Sequence, residues 1–179
     1  MSMRVTVDAL LEFYQIQQLK YRYLRAIDTH QWDLLETCFT EGARVWYAGG
    51  RYSYAGRSEI MKFLQGFFTD SVVSSHIVTH PELELTGLST AKGVWRLQDT
   101  VHFLDANPVY AHANILGGEE MNGAAYYYDD YIKEADGWKI SSTGFERMFE
   151  AIEPRSGRVG FRLEPGSSLG VHVDRTIKP

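Results

Sequence analysis

The sequence predicts an α+β domain with helices packed on one face of a curved, mostly antiparallel sheet. Three observations carry this expectation. Apolar residues recur at helical spacing near the N-terminus, strand-forming runs fill the chain from Val72 to Phe145, and the helices precede the long strands instead of alternating with them. Helical and strand segments share one apolar set, so residues 1–150 read as a single domain. Residues 151–179 read as a C-terminal tail in which Gly, Pro, Ser and Arg accumulate without periodicity.

The first helix rests on Ile16, Leu19, Tyr23 and Ile27, at spacings of 3, 4 and 4, with Leu24 alongside and Gln15, Gln17, Lys20, Arg22 and Arg25 between them. Asp8 is the expected N-cap, ahead of Leu10 and Leu11. The helix fades near Asp28-Thr29-His30, and Trp32 to Phe39 reads as a short second helix. The β-rich run Ala43 to Tyr47, the turn signal Gly49-Gly50 and Arg51-Tyr52-Ser53-Tyr54 together predict a hairpin. Gly56 then opens a third helix whose stripe is Ile60, Phe63, Leu64 and Phe67-Phe68. Strands are expected over Val72 to Leu85, Lys92 to Phe103, Ala124 to Ile132 and Trp138 to Phe145. They are separated by Thr86-Gly87-Leu88-Ser89, by the long stretch Leu104 to Gly123, and by Ala135-Asp136-Gly137. In the tail, Val159 to Leu163 is a candidate edge strand or subunit contact.

Composition excludes several classes of function. With 18 basic and 23 acidic residues the net charge is −5, so no long-range cationic field draws nucleic acid or anionic lipid. The single cysteine, Cys38, has no internal disulfide partner, which fits a reducing, cytoplasmic setting. No run approaches the ~18 apolar residues of a membrane span, and the N-terminus lacks an apolar signal core. The expected setting is therefore cytoplasmic, with neither membrane nor nucleic acid as partner.

Chemistry enters where ionisable groups fall on apolar faces. In the strand Trp95 to Phe103, alternation places Trp95, Leu97, Asp99, Val101 and Phe103 together, so Asp99 sits in an apolar row where a lone carboxylate costs several kcal/mol. His76 and His80 share a face with Ser74 and Val78, but on a strand they stand ~13 Å apart, too far to chelate one ion, and no metal site is expected. A lone inward histidine gains a chemical role when a carboxylate orients it. Asp28, at the edge of the first helix's stripe, is the candidate carboxylate, and Tyr23 lies on the stripe itself. In Tyr126-Tyr127-Tyr128-Asp129-Asp130-Tyr131, Tyr126 and Tyr128 share one face and Tyr127 and Tyr131 the other; one set lines the concave side of the sheet. Gly117-Gly118 lacks the Lys-Ser/Thr of a phosphate loop, and Ser141, Ser142 and Cys38 lack the context of a nucleophile.

These residues carry a resemblance. Ile16 to Phe39, Ser74 to Leu85, Gly93 to Val101 and Gly123 to Glu150 resemble the SnoaL-like group of the nuclear-transport-factor-2-like (NTF2-like, or cystatin-like) superfamily, over about residues 12 to 150. That superfamily includes scytalone dehydratase, ketosteroid isomerase and a hexachlorocyclohexane dehydrochlorinase; the sequence looks most like its bacterial bile-acid 7α-dehydratases. The resemblance implies a cone-shaped half-barrel with a deep apolar pocket, a reaction without cofactor or metal, and a homo-oligomer, trimer or dimer. It places Tyr23 and Asp28 on Y-x-x-x-x-D, His76 on S-x-H-x-x-x-H-x-x-E and Asp99 on W-x-L-x-D as the catalytic set. Tyr47, His80, Trp95, Tyr126 and Tyr128 are the aromatic and polar candidates for the substrate-binding walls.

The implied reaction removes water from a hydrophobic, steroid-like or polycyclic, carbonyl-activated alcohol. In that scheme Asp28 orients His76, His76 takes a proton from carbon, and Tyr23 donates to the carbonyl. Asp99, kept partly protonated by a dry setting, protonates the departing hydroxyl, or else orients Tyr23 or His80. An isomerase, a dehydrochlorinase, and a non-catalytic binding protein or oxygenase small subunit of the same fold are the alternatives.

Overall fold

The first helix, α1, spans Val7–Asp28 in the computed structural model, which describes residues 6–106 and 115–155. Its N-cap is Thr6 and not Asp8: the Thr6 hydroxyl accepts the Ala9 N–H at 3.2 Å, and Asp8 falls in the first turn, where its charge meets the positive end of the helix dipole. The expected stripe is buried, and Lys20 and Ala26 are buried with it. Lys20, which the spacing argument set between the apolar positions, is fully buried; it lies four residues after Ile16 and four before Leu24, on the same face. α2 is Trp32–Glu36, shorter than expected because Phe39 already opens the first strand.

The hairpin forms between β1 (Phe39–Trp46) and β2 (Tyr52–Ala55). Between them α3 (Tyr47–Gly50) is one distorted turn: Ala48 and Gly49 take φ values of 52° and 64°, a left-handed path that glycine adopts without strain. α4 (Arg57–Phe67) follows Gly56 and buries Ile60, Met61 and Leu64. β3 (Val72–Leu85), β4 (Thr90–Phe103), β5 (Glu119–Glu134) and β6 (Gly137–Pro154) complete a six-stranded sheet of order β2-β1-β6-β5-β4-β3. Among the described strands, only the β1–β6 pairing is parallel. One apolar cluster joins Ile16, Leu19, Tyr23 and Ile27 of α1 to Trp95, Leu97, Val101 and Phe103 of β4 and to Tyr127 and Tyr131 of β5. Among the described residues, no helix is long and apolar enough to cross a membrane.

Two strands depart from expectation. β5 begins at Glu119, inside the stretch read as a loop, and β6 runs on to Pro154, paired there with Glu119. Residues 151–154 therefore belong to the sheet and not to the tail; the expected strand at Val159 to Leu163 lies outside the described residues. Register shifts interrupt β3 between Thr79 and Glu82 and β6 at Met148 and Ser141, the residues passed over between the partners of Ala124 and Ala125 and of Asp130 and Tyr131. The first contains Pro81, which an edge strand tolerates because it has no ladder bond to lose on its open side.

Candidate active site

α1 ends against β3, and strand alternation turns Ser74 and His76 toward that end. Asp28 Oδ1 lies 2.6 Å from His76 Nδ1 and accepts the Ser74 hydroxyl at 2.7 Å, while Oδ2 accepts the His76 backbone N–H at 2.9 Å. Three donors from one strand thus meet a carboxylate at the negative end of a helix, where the dipole alone disfavours it. Burial pushes the Asp28 pKa upward, but the His76 charge and the hydrogen bonds from His76 and Ser74 outweigh it and hold the carboxyl below its ordinary range. Burial likewise opposes a charge on His76, and the adjacent Asp28 overcomes it, so the imidazole titrates above the ordinary histidine value. With Nδ1 turned to Asp28, Nε2 has no hydrogen-bond partner among the described residues. The ring, 8% exposed, forms part of a cavity wall.

That cavity lies between α1, α4 and the sheet. Its walls are aromatic and apolar: Phe63, Phe67, Phe68, Phe145, Val101 and Met121. Phe68 packs edge-on against His76, with ring centroids 5.9 Å apart. Three phenols enter from two sides. Tyr23 and Tyr47 share a hydrogen bond of 2.8 Å between their hydroxyls, and the Tyr127 ring packs edge-on against Tyr23, centroids 6.5 Å apart. Burial drives all three upward in pKa, so they remain protonated donors at neutral pH.

Asp99 also reaches this cavity, with a partner that the alternation did not name. Its two oxygens accept from both arms of Arg147, at 2.6 and 2.8 Å, a bidentate pair. The expected roles for Asp99, a proton donor or a support for Tyr23 or His80, are replaced by the anchoring of a guanidinium that lines the cavity. Burial disfavours the charge on Arg147, and the Asp99 carboxylate more than restores it. Gly123, opposite Asp99 in the β4–β5 register, makes room: a Cβ there would lie 2.5 Å from Arg147 Nη1 and 3.0 Å from Asp99 Oδ1. Arg147 was missed because the last strand was expected to stop at Phe145; extending its alternation by two residues puts Arg147 on the same face.

Of the expected substrate-binding residues, only Tyr47 lines this cavity. Trp95 is fully buried elsewhere in the core, its Nε1 donating to the Tyr131 hydroxyl at 3.0 Å beneath an edge-on Tyr21. Tyr126 and Tyr128 point from the opposite face of β5; Tyr128 is 42% exposed and stacks on Trp46 at 6.1 Å, and the cavity-facing tyrosine is Tyr127. His80 is exposed with φ of 51° in the bulge beside Pro81, bonded to Thr79, because the bulge ends the alternation that had aligned it with His76.

A family model described as a SnoaL-like domain matches residues 8–144. Among solved structures, a scytalone-dehydratase-like protein from Novosphingobium aromaticivorans is 18% identical, with a TM-score of 0.67 over 79% of this chain and 87% of that one. The hexachlorocyclohexane dehydrochlorinase LinA-type3 from Novosphingobium barchaimii is 17% identical, with a TM-score of 0.69 over 89% of this chain and 99% of that one. A single-residue variant of the protein Rv3472 from Mycobacterium tuberculosis is 24% identical, with a TM-score of 0.61 over 82% of this chain and 78% of that one. At these identities the structural likeness is one of fold.

Proposed function

Because this chain belongs to the SnoaL-like domain family, we propose that it is a lyase that eliminates water from a hydrophobic, polycyclic or steroid-like hydroxy substrate activated by a carbonyl. The observation that carries this reading is the imidazole of His76, tied at Nδ1 to Asp28 by 2.6 Å and presenting Nε2 to an aromatic cavity. An unprotonated Nε2 is the lone pair that removes a proton from the carbon next to the carbonyl. Tyr23, protonated and backed by Tyr47 and Tyr127, donates to the carbonyl oxygen as charge collects there. Arg147, held flat by Asp99, faces the oxygen of the departing hydroxide. The proton on His76 completes that hydroxide to water and returns the imidazole to its starting state.

The test follows the mass balance. Incubation with β-hydroxy ketones of graded ring number is expected to yield a product lighter by one water, and His76→Ala is expected to abolish it. The same base and guanidinium also suit departure of chloride, so a halogenated analogue is assayed for chloride release beside the alcohol. Products of unchanged mass would replace the lyase reading with an isomerase, and binding without turnover in every case would refute catalysis.

A further inference from the structure

Among the described residues, Lys20 is the one lysine that the fold buries completely, and no step above uses it. Its Nζ lies 2.8 Å from Asp129 Oδ2, both side chains fully buried. The same carboxylate accepts the Tyr131 hydroxyl on Oδ2 and the Thr143 hydroxyl on Oδ1, each at 2.6 Å. Beyond Asp129 the ammonium finds no further acceptor among the described residues; it faces π-electrons, 3.5 Å from the ring centroid of Tyr127 and 5.0 Å from that of Tyr23. Those are two of the three phenols that line the cavity. A buried ion pair contributes little net stability compared with apolar packing of the same volume, so stability alone does not account for it.

We propose that Lys20, held by Asp129 behind the rings of Tyr127 and Tyr23, is a positioning residue that makes the cluster of Tyr47, Tyr23 and Tyr127 select an oxyanion over a neutral carbonyl, and that the substrate class is one reacting through an enolate. A cation on the face of a phenol withdraws electron density from the ring and strengthens its O–H as a donor. Tyr23 and Tyr47 share one hydrogen bond, which leaves one of their two O–H groups without an acceptor in the pair, so the pair delivers a strengthened donor to the cavity. Enolate formation matches that donor: the C–H pair becomes a C=C bond, the carbonyl π-pair moves to oxygen, and the proton rests on His76 until the hydroxide leaves with it. A direct elimination that builds no charge on a carbonyl oxygen gains nothing from this arrangement.

The inference rests on the lyase reading, but its test uses binding without turnover. Phenol, 4-chlorophenol, 4-cyanophenol and 4-nitrophenol share a shape and differ in acidity, and 4-nitrotoluene is the uncharged control. Wild-type affinity is expected to rise along the acidity series. Bound 4-nitrophenol is expected to show its phenolate absorption at a pH about one unit below its solution pKa. In Lys20→Met/Asp129→Leu, 4-nitrophenolate is expected to weaken about 30-fold relative to the 4-nitrotoluene control. Equal weakening of both ligands would reveal a merely structural pair and overturn the proposal. If the double variant does not fold, the wild-type spectrum decides: 4-nitrophenol bound as the neutral phenol overturns the proposal, and bound as the phenolate supports it. Selective phenolate binding by a protein that dehydrates nothing would refute the lyase and leave this inference standing.

Discussion

Replacing Asp28 by asparagine tests the proposed dyad at one oxygen. Three donors converge on the carboxylate: the Ser74 hydroxyl, the His76 backbone N–H and His76 Nδ1. An amide offers one acceptor oxygen and one NH₂, so it cannot accept from all three donors at once. With NH₂ toward Nδ1, the ring proton moves to Nε2 and the lone pair leaves the cavity. With oxygen toward Nδ1 the tautomer survives, but the charge that supports an imidazolium is gone. Charge-assisted hydrogen bonds contribute about 1.5–3 kcal/mol each, and loss of a positioned base lowers rates by roughly 10²–10⁴. The expected result is a kcat reduced by about 10²–10⁴ at neutral pH. The residual rate should also keep a different pH dependence. His76 is raised because Asp28 overcomes the effect of burial, so in the variant the acid limb of kcat/KM moves to lower pH. A pH–rate profile of water loss by mass spectrometry, beside a circular dichroism spectrum to verify folding, measures both. Activity within about tenfold of wild type together with an unmoved acid limb would refute the dyad.

The same pair makes stability depend on pH. Asp28 is depressed on folding, so its contribution is present above the unfolded value of 3.8 and fades as pH falls through the folded one; His76 is raised, so its contribution is full below 6.5 and fades as pH rises through its folded value. The urea-midpoint advantage of wild type over Asp28→Asn is therefore greatest between those two values and shrinks on both sides; a flat difference would contradict the pairing. Gly123→Ala is expected to displace the Arg147 guanidinium, to lower kcat by about tenfold or more, and to lower the thermal midpoint because the buried Asp99 loses its partner. Activity at the wild-type level would show that the Asp99–Arg147 geometry is irrelevant to turnover. Tyr126→Phe, Tyr128→Phe and His80→Ala are expected to leave kcat/KM unchanged, since none of the three lines the cavity; a clear loss in steady-state assays would mean that the substrate binds elsewhere.

Periodicity made the secondary structure legible from α1 to β4, because spacings of 3 and 4 and of 2 record directly which face is buried. It failed where a residue's role depends on a distant partner. Lys20 occupies a stripe position, yet its charge argued for solvent, and only Asp129 from β5 explains its burial. Alternation placed Asp99 inward but is silent about Arg147, a partner 48 residues away. Bulges were the second blind spot. A shift near Pro81 separated His80 from His76, and strand alternation alone left open whether Tyr126 and Tyr128 or Tyr127 and Tyr131 face inward. The end of β6 was invisible because its last residues, mostly exposed, gain their place from pairing with Glu119 to Asn122 more than from burial.

Within and behind the cavity, charge sits beside counter-charge: Asp28 with His76, Asp99 and Glu150 with Arg147, and Lys20 with Asp129. Each set holds its own counter-charge at hydrogen-bond distance, which lowers the desolvation cost of placing ions among phenyl rings. The sets do not balance in the same way. Arg147 stays cationic with a fixed partner, burial pulls the Lys20 pKa down against the opposing pull of Asp129, and His76 changes charge when it takes a proton, its partner Asp28 already in place to compensate. The proton free to move in a dry cavity is then the one at Nε2, and the negative charge created by its removal has a phenol cluster on one side and a guanidinium on the other. That arrangement favours reactions which separate charge briefly and recombine it before water enters, and eliminations of a small neutral molecule have that form.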